Sequence, residues 1–192
     1  HEPDLGLGLV AGVGHPGFGR HLQPVRRDAL AALRVGRLVR AHPHQLAPRG
    51  GDEDTRWPVI DWNHGTTGYA QHCAPSLQER PFWAGALYFP RKVIAEGWAI
   101  VATDYIGLGT PGPPPYLFGK PSAYASLDAV RAARQLDEAR LDRRTVIWGH
   151  SQGGGASAAA AELAPEYAPE LDLRGAYASA PPADLLAVLR HI

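Results

Sequence analysis

The sequence predicts an α/β protein in which a mainly parallel, doubly wound sheet carries helices on both faces. Three observations carry this. Runs of β-branched and aromatic residues, Trp57–Asn63, Gly97–Tyr105, Thr145–Trp148 and Leu173–Ala180, alternate with segments of helical pattern, the order that lays crossover helices over parallel strands. The third run breaks at Gly149 and passes through His150, Ser151 and Gln152 to Gly153–Gly155 and the small-residue stretch Ala156–Ala161: a strand, a sharp turn and a helix in succession. The second run ends on an acid, Asp104, ahead of a Gly/Pro-rich loop, and function gathers at the carboxyl ends of strands in open sheets.

Composition sets the frame. The 192 residues are 45% hydrophobic and 20% charged, with a formal net charge of zero, as expected of one ordinary globular domain with a real core. No like-charge run or basic aromatic surface points to nucleic acid. No apolar stretch approaches the roughly 18–20 residues of a membrane span, so no integral membrane segment is expected. No leader is visible in the sequence as it stands. No cluster of Cys, His or acids has metal-ligand spacing, and Gly119-Lys120 lacks the Ser/Thr that completes a phosphate-binding loop. We expect neither a metal nor an organic cofactor.

Taken in order, residues 1–46 stand apart. They hold no Lys, Trp or Tyr, and Phe18 is their only aromatic residue. Gly12–Gly17 matches Gly-x-Gly-x-x-Gly, but Pro24 and the lack of a following helical pattern argue against dinucleotide binding. Arg26–Arg40 has the spacing of a short basic amphipathic helix. Two readings of this stretch stand open, a disordered Arg-rich segment or sequence translated out of frame as far as Ala47. Residues 47–192 form the second unit. Residues 47–56 read as a polar loop, Trp57–Asn63 as a strand, and Cys73–Arg80 as loop and short helix. A helix near Ala84–Glu96 ends at Gly97, placed as the glycine that closes a helix. Asp104–Pro121 is a long loop on the rim of any site. Ser122–Arg140 is helical, with Tyr124, Leu127, Val130, Ala133 and Leu136 on one face. Ala183–Ile192 reads as an unfinished helix.

Chemistry concentrates at the strand–turn–helix. Gly149-His150-Ser151-Gln152-Gly153 is Gly-x-Ser-x-Gly in the context of a nucleophile elbow, as found in α/β-hydrolases. The turn holds Ser151 exposed at the strand end, demands small flanking residues, and aims the positive end of the next helix at developing negative charge. Upstream, the strand ending at Asn63 runs into His64-Gly65-Thr66-Thr67-Gly68, where this fold places the loop supplying an oxyanion N–H. His64 precedes the nucleophile, whereas the fold orders its triad Ser, acid, His; His64 is therefore read as bonding the loop in place. From spacing alone, Asp104 is either a site acid or a cap of the next turn.

These stretches resemble the secretory lipase family, bacterial and fungal α/β-hydrolases related to Candida antarctica lipase A. The likeness is carried by Pro58–Leu77, Gly97–Gly109, Tyr124–Gln135, Thr145–Gly155 and Glu162–Leu186. It implies ester hydrolysis on small-molecule ester or lipid substrates, with Ser151 as nucleophile and the Gln152 N–H as an oxyanion donor. It also implies that Asp104 helps form the oxyanion hole; the Gly65–Thr66 turn is rival or partner to it. Secretion is implied too, as is pairing of Cys73, the only cysteine, with a cysteine in a later part of the protein.

The downstream acids are Glu162, Glu166, Glu170, Asp172 and Asp184, and the only downstream histidine is His191. Asp184, near a strand end, is the best-placed decoy for the triad acid. In the family this region leads toward the lid, so the expectation is a C-terminally truncated hydrolase lacking its acid and base. The alternatives are a non-catalytic remnant, or an acyltransferase or peptidase on the same fold. Asp61 and Asn63 depart from the small or apolar residues usual on that buried strand, and a buried carboxylate needs a partner.

Overall fold

The computed structural model describes residues 8–10, 43–48, 52–78 and 90–190. In chain order these form β1 (Gly8–Val10), β2 (Pro43–Ala47), β3 (Trp57–Asn63), α1 (Pro90–Ala95), β4 (Ala99–Thr103), α2 (Gly119–Ala133), β5 (Leu141–His150), α3 (Gln152–Tyr167), β6 (Asp172–Ser179) and α4 (Leu185–Leu189). Six strands lie in the order β1-β2-β4-β3-β5-β6. The four from β4 to β6 run parallel, and β1 and β2 extend that edge antiparallel.

The sheet is covered on both faces, as the alternation along β3 requires. Val59 joins Val101, Ile147, Leu127, Val130 and Ala160 in the core under α2 and α3. Ile60 and Trp62 point the other way, toward Ile94 of α1, Ile100 and Ala102. The Trp62 ring meets Trp148 edge-on at 5.3 Å. Helix α3 approaches the sheet closely because its buried stripe is small: Ala156, Ala160 and Ala164 recur at four-residue spacing. The chain leaves β3 through α1 over one face and β5 through α3 over the other. The carboxyl ends of β3 and β5 therefore flank the crevice where connections change sides, the usual ligand position in such sheets.

Several elements differ from the sequence expectation for identifiable reasons. The helix expected over 122–140 ends at Ala133, where its buried stripe ends. Leu136 lies past it, and a 3-10 turn at Asp137–Ala139 with Arg140 in the left-handed region leads into β5. Strand β5 starts at Leu141 rather than Thr145, because pairing of Trp57 with Leu141 prolongs the ladder into a polar, partly exposed stretch. Gly97 closes α1 with φ +80°, and its N–H donates to the Ile94 carbonyl at 3.0 Å. Of the expected helix near 84–96, residues 84–89 lie outside the described residues; so do the Gly12–Gly17 motif, Arg26–Arg40 and His191. Within 1–46, the described residues contribute β1 and most of β2 to the sheet edge. Among the described residues, no helix is long and apolar enough to cross a membrane, and no cluster of His, Cys or acids has a metal-holding arrangement.

Candidate active site

Ser151 joins β5 to α3 with φ +56° and ψ −118°, a backbone conformation that costs an L-residue about 1–3 kcal/mol. Its surroundings leave it no alternative. The Ser151 N–H donates to the Ser179 carbonyl of β6 at 2.9 Å, and the Ser151 carbonyl accepts from Gly155 at 3.1 Å. A Cβ on Gly149 would lie 2.2 Å from the Gly153 carbonyl oxygen, and one on Gly153 would lie 1.9 Å from the Asn63 carbonyl oxygen. Only glycine fits either place, so the motif records a three-way contact of β3, β5 and α3. Ser151 is half-buried, and among the described residues nothing hydrogen-bonds its hydroxyl. Gln152 is buried as the first residue of α3, where backbone N–H groups have no partner within the helix.

The structure brings the His64–Thr66 turn to this serine. A Cβ on Gly65 would lie 3.8 Å from the Ser151 Cβ and 3.4 Å from the His150 carbonyl oxygen. His150 is exposed beside it. The His64 Nδ1 donates to the Gly65 carbonyl at 2.6 Å; a carbonyl only accepts, so the proton sits on Nδ1. The exposed Thr66 pairs its hydroxyl with the Tyr116 hydroxyl at 2.9 Å. Gly68, Ile106, Leu108, Pro114, Pro115, Tyr116 and Gln152 are among the residues lining a cleft here.

Asp104 lies one residue past β4, fully buried, and its Oδ1 accepts the Ser76 N–H at 2.9 Å. That donor belongs to the 3-10 turn Pro75–Leu77, so Asp104 ties a distant segment to the end of β4. In the following turn the Gly107 N–H donates to the Thr110 hydroxyl at 3.1 Å.

Beneath the elbow runs a buried polar layer that periodicity could not reveal. Asp61 and Asn63 are both fully buried. The Ser126 hydroxyl of α2 donates to Asp61 Oδ2 at 2.6 Å, while Asp61 Oδ1 has no hydrogen-bond partner. Burial, only partly opposed by Ser126, pushes the Asp61 carboxyl up to about 7. The Asn63 amide donates to the Ser157 hydroxyl of α3 at 3.2 Å. Tyr105, buried between Ala125 and Ala156, completes the layer.

Three of the five downstream acids have partners of their own, and the other two are exposed. Asp184 accepts the Ala187 N–H at 2.8 Å and caps α4. Glu170 pairs with Arg131, Asp172 with Arg174, and Glu162 and Glu166 point to solvent from α3. Cys73 is half-buried with a free thiol, against Gly68.

A strained serine on a strand–helix turn at the crevice of a doubly wound sheet is the arrangement of the α/β-hydrolase fold. The secretory lipase family model matches residues 86–192, and the chain belongs to that family. It is 34% identical over 161 residues to the probable inactive lipase MT1628 of Mycobacterium tuberculosis, an alignment covering 78% of this chain and 34% of that protein. It is 30% identical over 131 residues to the secreted triacylglycerol lipase LIP1 of Malassezia furfur, covering 64% of this chain and 26% of the relative. The chain thus spans about a third or less of the length of these relatives. Among solved structures, a variant of the rice cell wall degrading esterase LipA from Xanthomonas oryzae superposes with a TM-score of 0.58 at 28% identity, covering 74% of this chain and 38% of that one. Candida antarctica lipase A in its closed state shares the fold with a TM-score of 0.57 at 21% identity, covering 71% and 33%.

Proposed function

We propose that the protein is a serine hydrolase that cleaves carboxylic esters through an acyl-enzyme on Ser151. The observation that carries this is Ser151 itself, held at φ +56° on the β5–α3 turn with the Gly65 turn against its side chain. The Ser151 oxygen attacks the ester carbonyl as a base takes its proton. The tetrahedral oxyanion collapses, expelling the alcohol, which leaves with that proton, and water then releases the acid by the reverse sequence. The oxyanion is held by the Gln152 N–H together with the Gly65–Thr66 turn or Asp104; one such donor is worth about 3–4 kcal/mol. Asp104, tied to Ser76, fits a supporting role from a fixed position. Among the described residues nothing hydrogen-bonds the Ser151 hydroxyl, so in this reading the base and its acid are supplied from outside the described residues. Lipid or short-chain esters are the substrate class, and secretion follows the family. Cys73 is the residue through which this part is tied to a later one.

The Mycobacterium tuberculosis relative is a probable inactive lipase, which favours a second reading, a non-catalytic member. Hydrolysis of p-nitrophenyl butyrate separates them. We expect the 192-residue chain alone to match its Ser151→Ala variant, and the full-length protein to turn over in a Ser151-dependent way. Ser151-dependent turnover by the short chain would refute the external base. A full-length protein no faster than its Ser151→Ala variant would establish the non-catalytic reading.

A further inference from the structure

We propose that Tyr105 is a positioning residue of the oxyanion turn, aiming the N–H groups of both Gly65 and Thr66 at the oxygen that gains charge beside Ser151. The inference rests on the serine-hydrolase reading above and takes the Gly65–Thr66 turn as its second oxyanion arm. It follows from how the two peptide units of the turn are held. The Tyr105 hydroxyl donates to the His64 carbonyl at 3.1 Å. That carbonyl and the Gly65 N–H are opposite ends of one planar trans peptide, so anchoring the oxygen fixes the direction of the N–H. The next peptide is fixed the same way: the His64 Nδ1–H anchors the Gly65 carbonyl and with it the Thr66 N–H. The His64 ring is itself held by Tyr105, whose ring lies 4.4 Å away and tilted by 33°. One side chain thus orients the first peptide directly and the second through the histidine.

Tyr105 is built for this at some cost. Its φ is +63°, a left-handed backbone that is a genuine outlier for a bulky aromatic residue and persists only where the surroundings impose it. Here they do. The Tyr105 N–H donates to the Thr103 hydroxyl at 3.1 Å, and the ring packs against Ala125 of α2 and Ala156 of α3. The hydroxyl also reaches Asn63 Oδ1 at 3.4 Å. Filling the space alone would need neither the strained backbone nor a hydroxyl on the carbonyl that precedes Gly65. Burial, reinforced by the neighbouring Asp61, holds the phenol well above its ordinary range, so it stays a donor at any working pH.

The test is the backbone order of the turn by 15N relaxation on the 192-residue chain, in wild type and in Tyr105→Phe. We expect rigid Gly65 and Thr66 amides in wild type, with order parameters of about 0.85, falling toward about 0.6 in the variant, while β4 and β5 stay rigid. Mobile Gly65 and Thr66 amides in the wild type would overturn the proposal whatever the variant does. Equal rigidity in Tyr105→Phe would also overturn it. In the full-length protein the same substitution should lower kcat for p-nitrophenyl butyrate at least about tenfold with KM little changed, the signature of an interaction made in the transition state. An unchanged kcat beside Ser151-dependent wild-type turnover counts against Tyr105 alone. Turnover unaffected by Ser151→Ala removes the hydrolase reading, and the order parameters still decide whether Tyr105 holds the turn.

Discussion

The two ends of helix α3 are fastened by opposite means. At its N-terminus the contacts are buried: the Gly153 backbone lies against the Asn63 carbonyl, and the Asn63 side-chain amide donates to the Ser157 hydroxyl. At its C-terminus they are charged and partly exposed. Arg131 of α2 pairs with Glu170 and with Asp128, donates to the Tyr167 carbonyl, and stacks on the Tyr167 ring at 4.7 Å. The Tyr167 hydroxyl closes the cluster on Asp128 at 2.8 Å. Short-range buried contacts locate atoms closely and tolerate no substitution, as a site that must meet a transition state requires. Exposed ion pairs hold elements together at small net gain and tolerate change.

The comparison breaks most sharply at Gly153. A Cβ there meets the Asn63 backbone oxygen at 1.9 Å, and neither β3 nor α3 can retreat without opening the sheet. Gly153→Ala is expected to prevent stable folding, beyond the usual overpacking cost of about 1–3 kcal/mol. Loss of the cooperative urea transition would show this. A Gly153→Ala protein with a wild-type midpoint would mean that the close contact is not what fixes the elbow.

The next test concerns charge in the buried layer. Asp61 sits at about 7 in the folded protein against an ordinary unfolded carboxyl near 3.8. Between those values the folded state keeps a proton that the unfolded state has lost. Stability therefore falls as pH rises through that window and levels off above about 7, by about 4 kcal/mol in full. Urea unfolding of wild type and Asp61→Asn from pH 5 to 8 should show wild type losing about 2–3 kcal/mol more than the variant. Parallel curves would mean that Asp61 is ionised in the fold and the layer is not neutral.

Strain at the elbow is a smaller quantity. Ser151→Gly removes the penalty of a side chain at φ +56°. It should raise the unfolding free energy by about 1–2 kcal/mol, less the greater freedom glycine brings to the unfolded chain. A destabilised variant would show that the turn is relaxed around serine.

How much of this the residues disclosed in advance depends on the range of the cause. The elbow was legible because its sterics are local: glycines at 149 and 153 flanking a serine between a β-branched run and an alanine-rich one admit few geometries. Trp57–Asn63 emerged with the same bounds for the same reason. The partner of Asp61 was not legible, because Ser126 stands 65 positions away and only the packing of α2 on the sheet brings it there. Tyr105 escaped notice because nothing in a run ending Thr103-Asp104-Tyr105 signals a left-handed backbone; the packing of its ring between Ala125 and Ala156, on helices distant in sequence, holds it there. Asp184 resembled a site acid by its place after a strand, yet its short reach to the Ala187 N–H makes it a helix cap.

The C-terminal end of α3 offers the mildest test, and the comparison stands or falls on its being mild. Arg131 holds the Glu170 carboxyl below its usual range, so the pair is intact at neutral pH and is lost as acidification protonates Glu170. The Glu170 side chain is 46% exposed, so solvent screens most of the attraction. Arg131→Ala also removes packing on Tyr167 and the donor to its carbonyl. The expected loss is about 1–2 kcal/mol, shrinking in 1 M salt as the electrostatic share is screened, with the elbow unaltered. Because the Arg131 contacts lie at the far end of α3, the order parameters of Gly65 and Thr66 should not change in this variant. If they do, the two ends are mechanically coupled through α2 and α3, and the charged cluster is part of what holds Ser151 in place.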